Sequence, residues 1–218
     1  MPILSCYFSV KLVARHGWGG KRGAPAPSLR RRYDQLSRTR QDAAPKDPAP
    51  HTSCITAQSF VETFYHHVSE NKSIANLYTS NSPAYQAVNK GSDLNINGAV
   101  VARPEDYERI LANQRRLPFG FEKIRYVADN WDYHILNAEF NMGAPPDVLG
   151  AGNPKRSDRL MLTVMVSGTV FFGSDKDGFK KTFHETFVLV PNWELFAKKT
   201  TPKNAVRYLI LSQNYRAI

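Results

Sequence analysis

Residues 160–190 read LMLTVMVSGTVFFGSDKDGFKKTFHETFVLV, and the alternation within them decides the fold class. Leu160, Leu162, Val164, Val166, Val170 and Phe172 share one parity. Met161, Thr163, Met165, Ser167, Thr169 and Phe171 share the other, which is the period of two of a β-strand. Gly173-Ser174-Asp175-Lys176-Asp177-Gly178 is a polar turn with a glycine at each end, after which Phe179, Phe183, Phe187 and Leu189 resume the apolar row. The stretch is expected to be a hairpin of two long strands. One face of the first arm is continuously apolar. The opposite face lacks any Lys, Arg, Asp or Glu where a solvent face would carry charge, so the sheet is expected to be covered on both sides.

Outward from this hairpin, 218 residues accommodate one domain with tails, and a hydrophobic content of 42% suffices for a core. The formal charge of +10 is not spread evenly. Residues 1–52 hold ten Lys or Arg against Asp34, Asp42 and Asp47, so the basicity belongs mainly to this tail. With Gly17, Gly19, Gly20 and Gly23, then Pro25, Pro27, Pro45, Pro48 and Pro50, the tail is expected to be a disordered basic extension. Residues 1–33 also share the acid-free, arginine-containing composition of a mitochondrial presequence, and Arg30-Arg31-Arg32 could attract RNA or an import receptor by charge alone. Cys6 and Cys54 have no metal-ligand spacing and suggest no disulfide scaffold, which fits a reducing compartment. No apolar run approaches the roughly 18 residues of a membrane span, so no membrane partner is expected.

Order is expected from residue 53. Residues 56–70 set Phe60, Val61, Phe64, Tyr65 and Val68 on one helical stripe, with Ser59 and Glu62 at capping-box spacing. A second, shorter helix is expected over 73–79, marginal strands over 84–88 and 93–97, and a third helix over 105–114, opened by Pro104 and ended by Pro118. Strands are then expected over 121–129, 133–140, the two hairpin arms and 207–215. Helices followed by closely spaced strands argue for an α+β domain over 53–218 with a mostly antiparallel sheet. The segments 141–159 and 191–204 exceed a minimal design, and loops of that length are usually functional or disordered.

Chemistry-bearing motifs are sparse. There is no nucleotide-binding glycine loop, zinc-type cluster or nucleophile elbow, and no cofactor is expected. Asp129, Asp132 and His134, with Tyr78 or Tyr126, make one possible acid–base group, against which stands the plainer reading of Asp129-Asn130-Trp131-Asp132 as a turn. His66 and His67 are adjacent, and adjacent residues cannot face one metal from one helix. Asp175 and Asp177 could receive a basic partner or simply serve the turn. Asn71-Lys72-Ser73 fits a glycosylation sequon, which would matter only in a secreted chain. Lys155 and Arg156 in the first long loop and Lys198, Lys199 and Lys203 in the second lack interleaved aromatics, so any RNA contact there is expected to run through phosphates.

The order of the pieces carries a resemblance. Phe60-Val61-Glu62-Thr63-Phe64-Tyr65, then Asn76-Leu77-Tyr78, then Leu117-Pro118-Phe119 are followed by Met165-Val166-Ser167-Gly168, by Phe183-His184-Glu185-Thr186-Phe187-Val188-Leu189, and by Asn214-Tyr215-Arg216. In order and spacing, residues 56–218 resemble the nuclear transport factor 2 family. The resemblance implies a cone-like, strongly bent sheet against three N-terminal helices and dimers packed sheet face to sheet face. It carries Met165, His184, Thr186 and Asn214 onto interface positions. On the same face, Met161, Thr163, Thr169, Phe171, Val188, Ile210 and Ser212 are expected to join them. The two long loops, the basic tail and the ending at 214–218 resemble the family's small subunits of heterodimeric mRNA export receptors. That likeness implies a role without catalysis: pairing with the related domain of a larger receptor subunit, supporting phenylalanine-glycine nucleoporin binding, and offering basic loops to RNA or ribosomal particles while shuttling between nucleus, nuclear pore and cytoplasm. The alternatives are a Ran-type homodimeric import factor and a cone-pocket dehydratase or isomerase. Against the first, Lys176 splits the acidic pair of the turn and Lys180-Lys181 follow it.

Overall fold

Apolar spacing at 3.6 residues makes the first element. In the computed structural model, which describes residues 49–116, 123–150, 158–173, 178–196 and 205–218, helix α1 (Ala49–Ser69) buries Phe60, Val61, Phe64, Tyr65 and Val68 along one stripe. The helix starts well before residue 56, so Ser59 lies in its interior and caps nothing. Glu62 instead accepts a 2.9 Å bond from Gln58, one turn back.

The expected second helix is two 3-10 turns, Ala75–Leu77 and Thr79–Asn81. Short polar side chains here compete for the backbone: the Asn81 amide donates to the Ala75 carbonyl at 3.2 Å. Pro83 then opens a helical turn, α2 (Pro83–Gln86), where a strand was expected over 84–88. Proline pre-sets φ for the first turn of a helix, and so short an apolar run has no decisive period.

Strands β1 (Asp93–Ile96) and β2 (Ala99–Val101) form a tight antiparallel hairpin. Asn97 and Gly98, with φ of 52° and 91°, supply the positive φ that such a two-residue turn requires. Helix α3 (Pro104–Arg116) follows and is tied to the first 3-10 turn through Glu108. One oxygen of that carboxylate accepts from the Ser73 hydroxyl and from the Ile74 and Ala75 amides at 2.7, 2.6 and 2.8 Å.

Strand β3 (Ile124–Asn137) is continuous where two strands and a turn were expected. The polar run Asp129-Asn130-Trp131-Asp132 is absorbed by a register shift between Ala128 and Asn130, a bulge that bends the strand without ending it. Short helix α4 (Pro146–Gly150), the hairpin strands β4 (Met161–Phe172) and β5 (Phe179–Pro191), short helix α5 (Trp193–Phe196) and strand β6 (Tyr208–Ala217) complete the described elements. The sheet order is β2-β1-β6-β5-β4-β3, antiparallel throughout except for β1 beside β6. The domain is thus α+β with a mostly antiparallel sheet.

One face of this sheet holds the main core. Leu162, Val164, Val166 and Val170 of β4 pack with Phe183, Phe187 and Leu189 of β5 against α1. The Phe187 ring lies edge-on to Phe60 and Phe64 at centroid distances of 5.0 and 4.9 Å. A second cluster of Tyr85, Phe140, Val148, Val190, Trp193 and Leu209 lies beyond it. There the Trp193 indole donates to the Met142 carbonyl at 2.8 Å. The segments 141–159 and 191–204 are therefore in part packed structure, since each contributes a short helix next to this cluster.

Candidate pairing face

The other parity of β4 faces away from the core. Paired registers carry a row across the sheet from Asp132 through Met165, Thr186 and Asn214 to Asn95, and a second from His134 through Thr163, Val188 and Ser212 to Asp93. Met165, at the centre, is 41% exposed. Thr163, Thr169, Phe171, Val188 and Ser212 are half-buried, while His184, Thr186 and Asn214 are exposed. Charge is confined to the flanks. Asp132 lies 3.6 Å from His134 on β3, Arg125 lies over the Phe171 ring at 4.4 Å, and His184 and Arg216 are register partners on β5 and β6. A neutral centre inside a charged rim is the anatomy of a protein interface.

One expected interface residue is misplaced. Ile210 is 0% exposed and belongs to the main core, where it bridges to Tyr78. The register shifts between Val188 and Leu189, so Ser212 opposes Val188 but Ile210 opposes Leu189. This bulge reverses the parity that a straight strand would have kept. Conversely, Asp93 and Asn95 join the face through the parallel pairing of β1 with β6, which no local pattern announces. Toward one end the face opens into a cleft of about 760 Å³ whose lining includes Asn137, Phe140, Met142, Met161, Val188 and Ser212.

The acid–base group of the sequence is not assembled. Asp132 and His134 lie in the outer rows, Asp129 accepts from the Thr169 hydroxyl at 3.0 Å, and Tyr78 and Tyr126 are buried in the core. The interior instead holds a carboxyl that the reading of apolar rows passed over. Glu185 sits between Phe183 and Phe187 on the inward parity, 2% exposed. Its Oε2 accepts from the Tyr65 hydroxyl and its Oε1 from the Gln213 amide, both at 2.5 Å, while the Gln213 oxygen accepts from the Tyr78 hydroxyl at 2.5 Å. Burial pushes the Glu185 carboxyl up to about 7, and the two donated hydrogen bonds act in the opposite direction. A glutamate on the parity of two buried phenylalanines was the signal that could have found it.

His66 meets Lys72 at 2.8 Å, and His67 meets the Ser73 carbonyl at 3.1 Å. Among the described residues no group of three His, Cys, Asp or Glu could hold a metal, and no helix is long and apolar enough to cross a membrane. Lys155, Arg156, Lys198, Lys199 and Lys203, and the turn residues Asp175, Lys176 and Asp177, lie outside the described residues.

No protein-family model and no curated protein matches the chain. Solved structures do. A structure of a Sac3N peptide bound to Mex67:Mtr2 shares 36% identity at a TM-score of 0.68, covering 77% of this chain and 99% of that one. A structure of Mtr2 shares 35% at a TM-score of 0.66, with the same coverage. The Chaetomium thermophilum Mex67 NTF2-like domain complexed with Mtr2 shares 36% at 0.68, again over 77% and 99%. The bent sheet, its helices and its neutral outer face define a domain of the nuclear transport factor 2-like class. Within that class, the chain belongs to the Mtr2 family.

Proposed function

We propose that the chain is the non-catalytic small subunit of a heterodimeric nuclear export receptor for mRNA, pairing through the outer face of its sheet with the related domain of a larger, Mex67-type subunit. The observation that carries this reading is the 36% identity over 99% of a chain from structures of Mex67:Mtr2 complexes. The face is consistent with it. A central methionine among neutral residues favours being covered by a matching surface, while the flanking charges fit a rim. Assembled in this way, the pair would support binding to phenylalanine-glycine nucleoporins and shuttle through the nuclear pore between nucleus and cytoplasm. The Lys155, Arg156, Lys198, Lys199 and Lys203 side chains would hold RNA or ribosomal particles through phosphates. Replacing these five by Ser is then expected to flatten the salt dependence of RNA binding for unrelated sequences, with subunit pairing unchanged. Curves that coincide with the parent would remove RNA contact by these loops.

The dehydratase or isomerase alternative needs an acid and a base converging on substrate. Asp132 and His134 face outward, away from the tyrosines they were to join. Depletion of the chain in cells is expected to retain polyadenylated RNA in the nucleus, and the Asp132→Asn, His134→Gln double variant is expected to rescue it as fully as the parent. An unchanged RNA distribution would contradict the export role. Failure of the double variant alone, with pairing intact, would restore a chemical role for those side chains.

A further inference from the structure

We propose that His184 and Arg216 form a carboxylate-receiving site on the pairing face, to which the larger subunit presents an acidic side chain when the two sheets pack. This inference rests on the pairing face named above and adds the chemistry that the partner must carry there. The two residues are register partners on β5 and β6, both exposed, and the next outward pair along these strands is Thr186 with Asn214. β6 and β5 are the two middle strands of the six. Outward residues two apart on a strand are about 7 Å apart and neighbouring strands about 4.8 Å, so both side chains spring from within about 9 Å of Thr186. A stable interface covers about 800 Å² of each partner, a disc of about 16 Å radius. A partner seated over Met165 and Thr186 therefore covers this couple as well.

The couple has no counter-charge of its own. Its row across the sheet is completed by Ser167 of β4 and Asn130 of β3, both neutral. On the other side Arg216 lies against the β1–β2 turn, where Gly98 leaves it room: a Cβ there would stand 2.7 Å from the guanidinium Nη1. The turn is pinned to the end of β6. The Asn97 backbone amide donates to the Tyr215 carbonyl, and the Asn97 side-chain oxygen accepts from the Ala217 amide, both at 2.8 Å. Among the described residues the arginine ion pairs join Arg103 and Arg109 to Asp106 and Arg207 to Asp158, and none includes Arg216. The acids of the outer face are elsewhere: Asp132 beside His134 on β3, Asp93 on β1 in the row of Ser212, and Asp129 holding the Thr169 hydroxyl.

In the free subunit water solvates Arg216. Pairing strips that water, and a guanidinium cannot shed its proton to escape the cost. Breaking or omitting the partner of a buried charge is among the most destabilising events in an interface, so a neutral or basic patch opposite Arg216 would oppose pairing. A carboxylate meets the demand. Its two oxygens match the guanidinium fork, and the His184 ring beside it offers a further donor.

The test is the Kd of the full chain with the NTF2-like domain of the larger subunit, measured for the parent, Arg216→Lys, Arg216→Gln and Arg216→Glu, with a thermal melt of each free variant. Pairing is expected to weaken in that order, roughly 30-fold or more for Arg216→Gln, while the melts stay with the parent because Arg216 is exposed. Arg216→Lys keeps the charge but loses the fork, and Arg216→Glu sets two carboxylates face to face. His184→Gln is expected to weaken pairing in the same direction by less, which keeps the test open if an Arg216 variant does not fold. Equal Kd for Arg216→Gln and Arg216→Glu would overturn the facing carboxylate. Pairing of Arg216→Gln within about twofold of the parent would overturn the site, and a loss of RNA affinity by that assembled variant would assign the couple to phosphate instead. Absence of pairing by the parent would overturn the heterodimer reading, and this inference with it.

Discussion

Gly168→Ala is expected to remove a large part of the domain's stability. A Cβ at this position would lie 2.1 Å from the Val127 carbonyl oxygen and 2.7 Å from Cζ of Phe183. Neither neighbour can yield cheaply. Val127 is held by the β3–β4 ladder next to the bulge after Ala128, and the fully buried Phe183 ring is stacked on Tyr215 and edge-on to Tyr126. Backbone displacement together with core overpacking places the loss near 4 kcal/mol, at the severe end for a single substitution. Small domains have on the order of 5–15 kcal/mol in all. Urea unfolding should show the loss directly, and Gly91→Ala is the control because its nearest neighbour, the Ser80 hydroxyl, stands at 3.5 Å. A loss below about 1 kcal/mol would mean that the close approach at Gly168 is not real.

Met165→Glu is expected to leave the isolated subunit folded and to abolish pairing. Met165 is 41% exposed on the outer face, so a carboxylate there remains in water and costs the free fold little. In the pair it would be enclosed among Thr163, Thr186 and Asn214, none of which carries a positive charge. An uncompensated buried charge costs about 3–5 kcal/mol, so the Kd should rise by roughly two to four orders of magnitude. Calorimetric titration against the larger subunit, with a thermal melt of the free variant beside it, separates loss of pairing from loss of fold. Full affinity in Met165→Glu would show that another surface does the pairing.

What could be read from sequence depended on whether one local period told the whole story. The α1 stripe and the β4 alternation did, because each buries one face and repeats it over many residues. The short pieces did not. The residues of α2 fit a strand as well as a helical turn until Pro83 is weighed, and Asp129-Asn130-Trp131-Asp132 suits a turn as well as a bulge within β3. Long-range pairing was invisible, so the β1–β6 ladder and its outward Asp93 and Asn95 were missed. The uncharged outer face was legible on β4 from its alternation, but a bulge on β6 turned Ile210 inward, against straight-strand counting. Glu185 was overlooked because burial of an acid is decided by Tyr65 and Gln213, which come from distant parts of the chain.

The account turns on heterodimer formation through the sheet face, and sedimentation of residues 49–218 co-expressed with the NTF2-like domain of a Mex67-type receptor addresses it most directly. The predicted result is a single species with the mass of one copy of each chain, absent when the small subunit carries Met165→Glu. A chain that sediments alone, or only with a second copy of itself, would contradict the account.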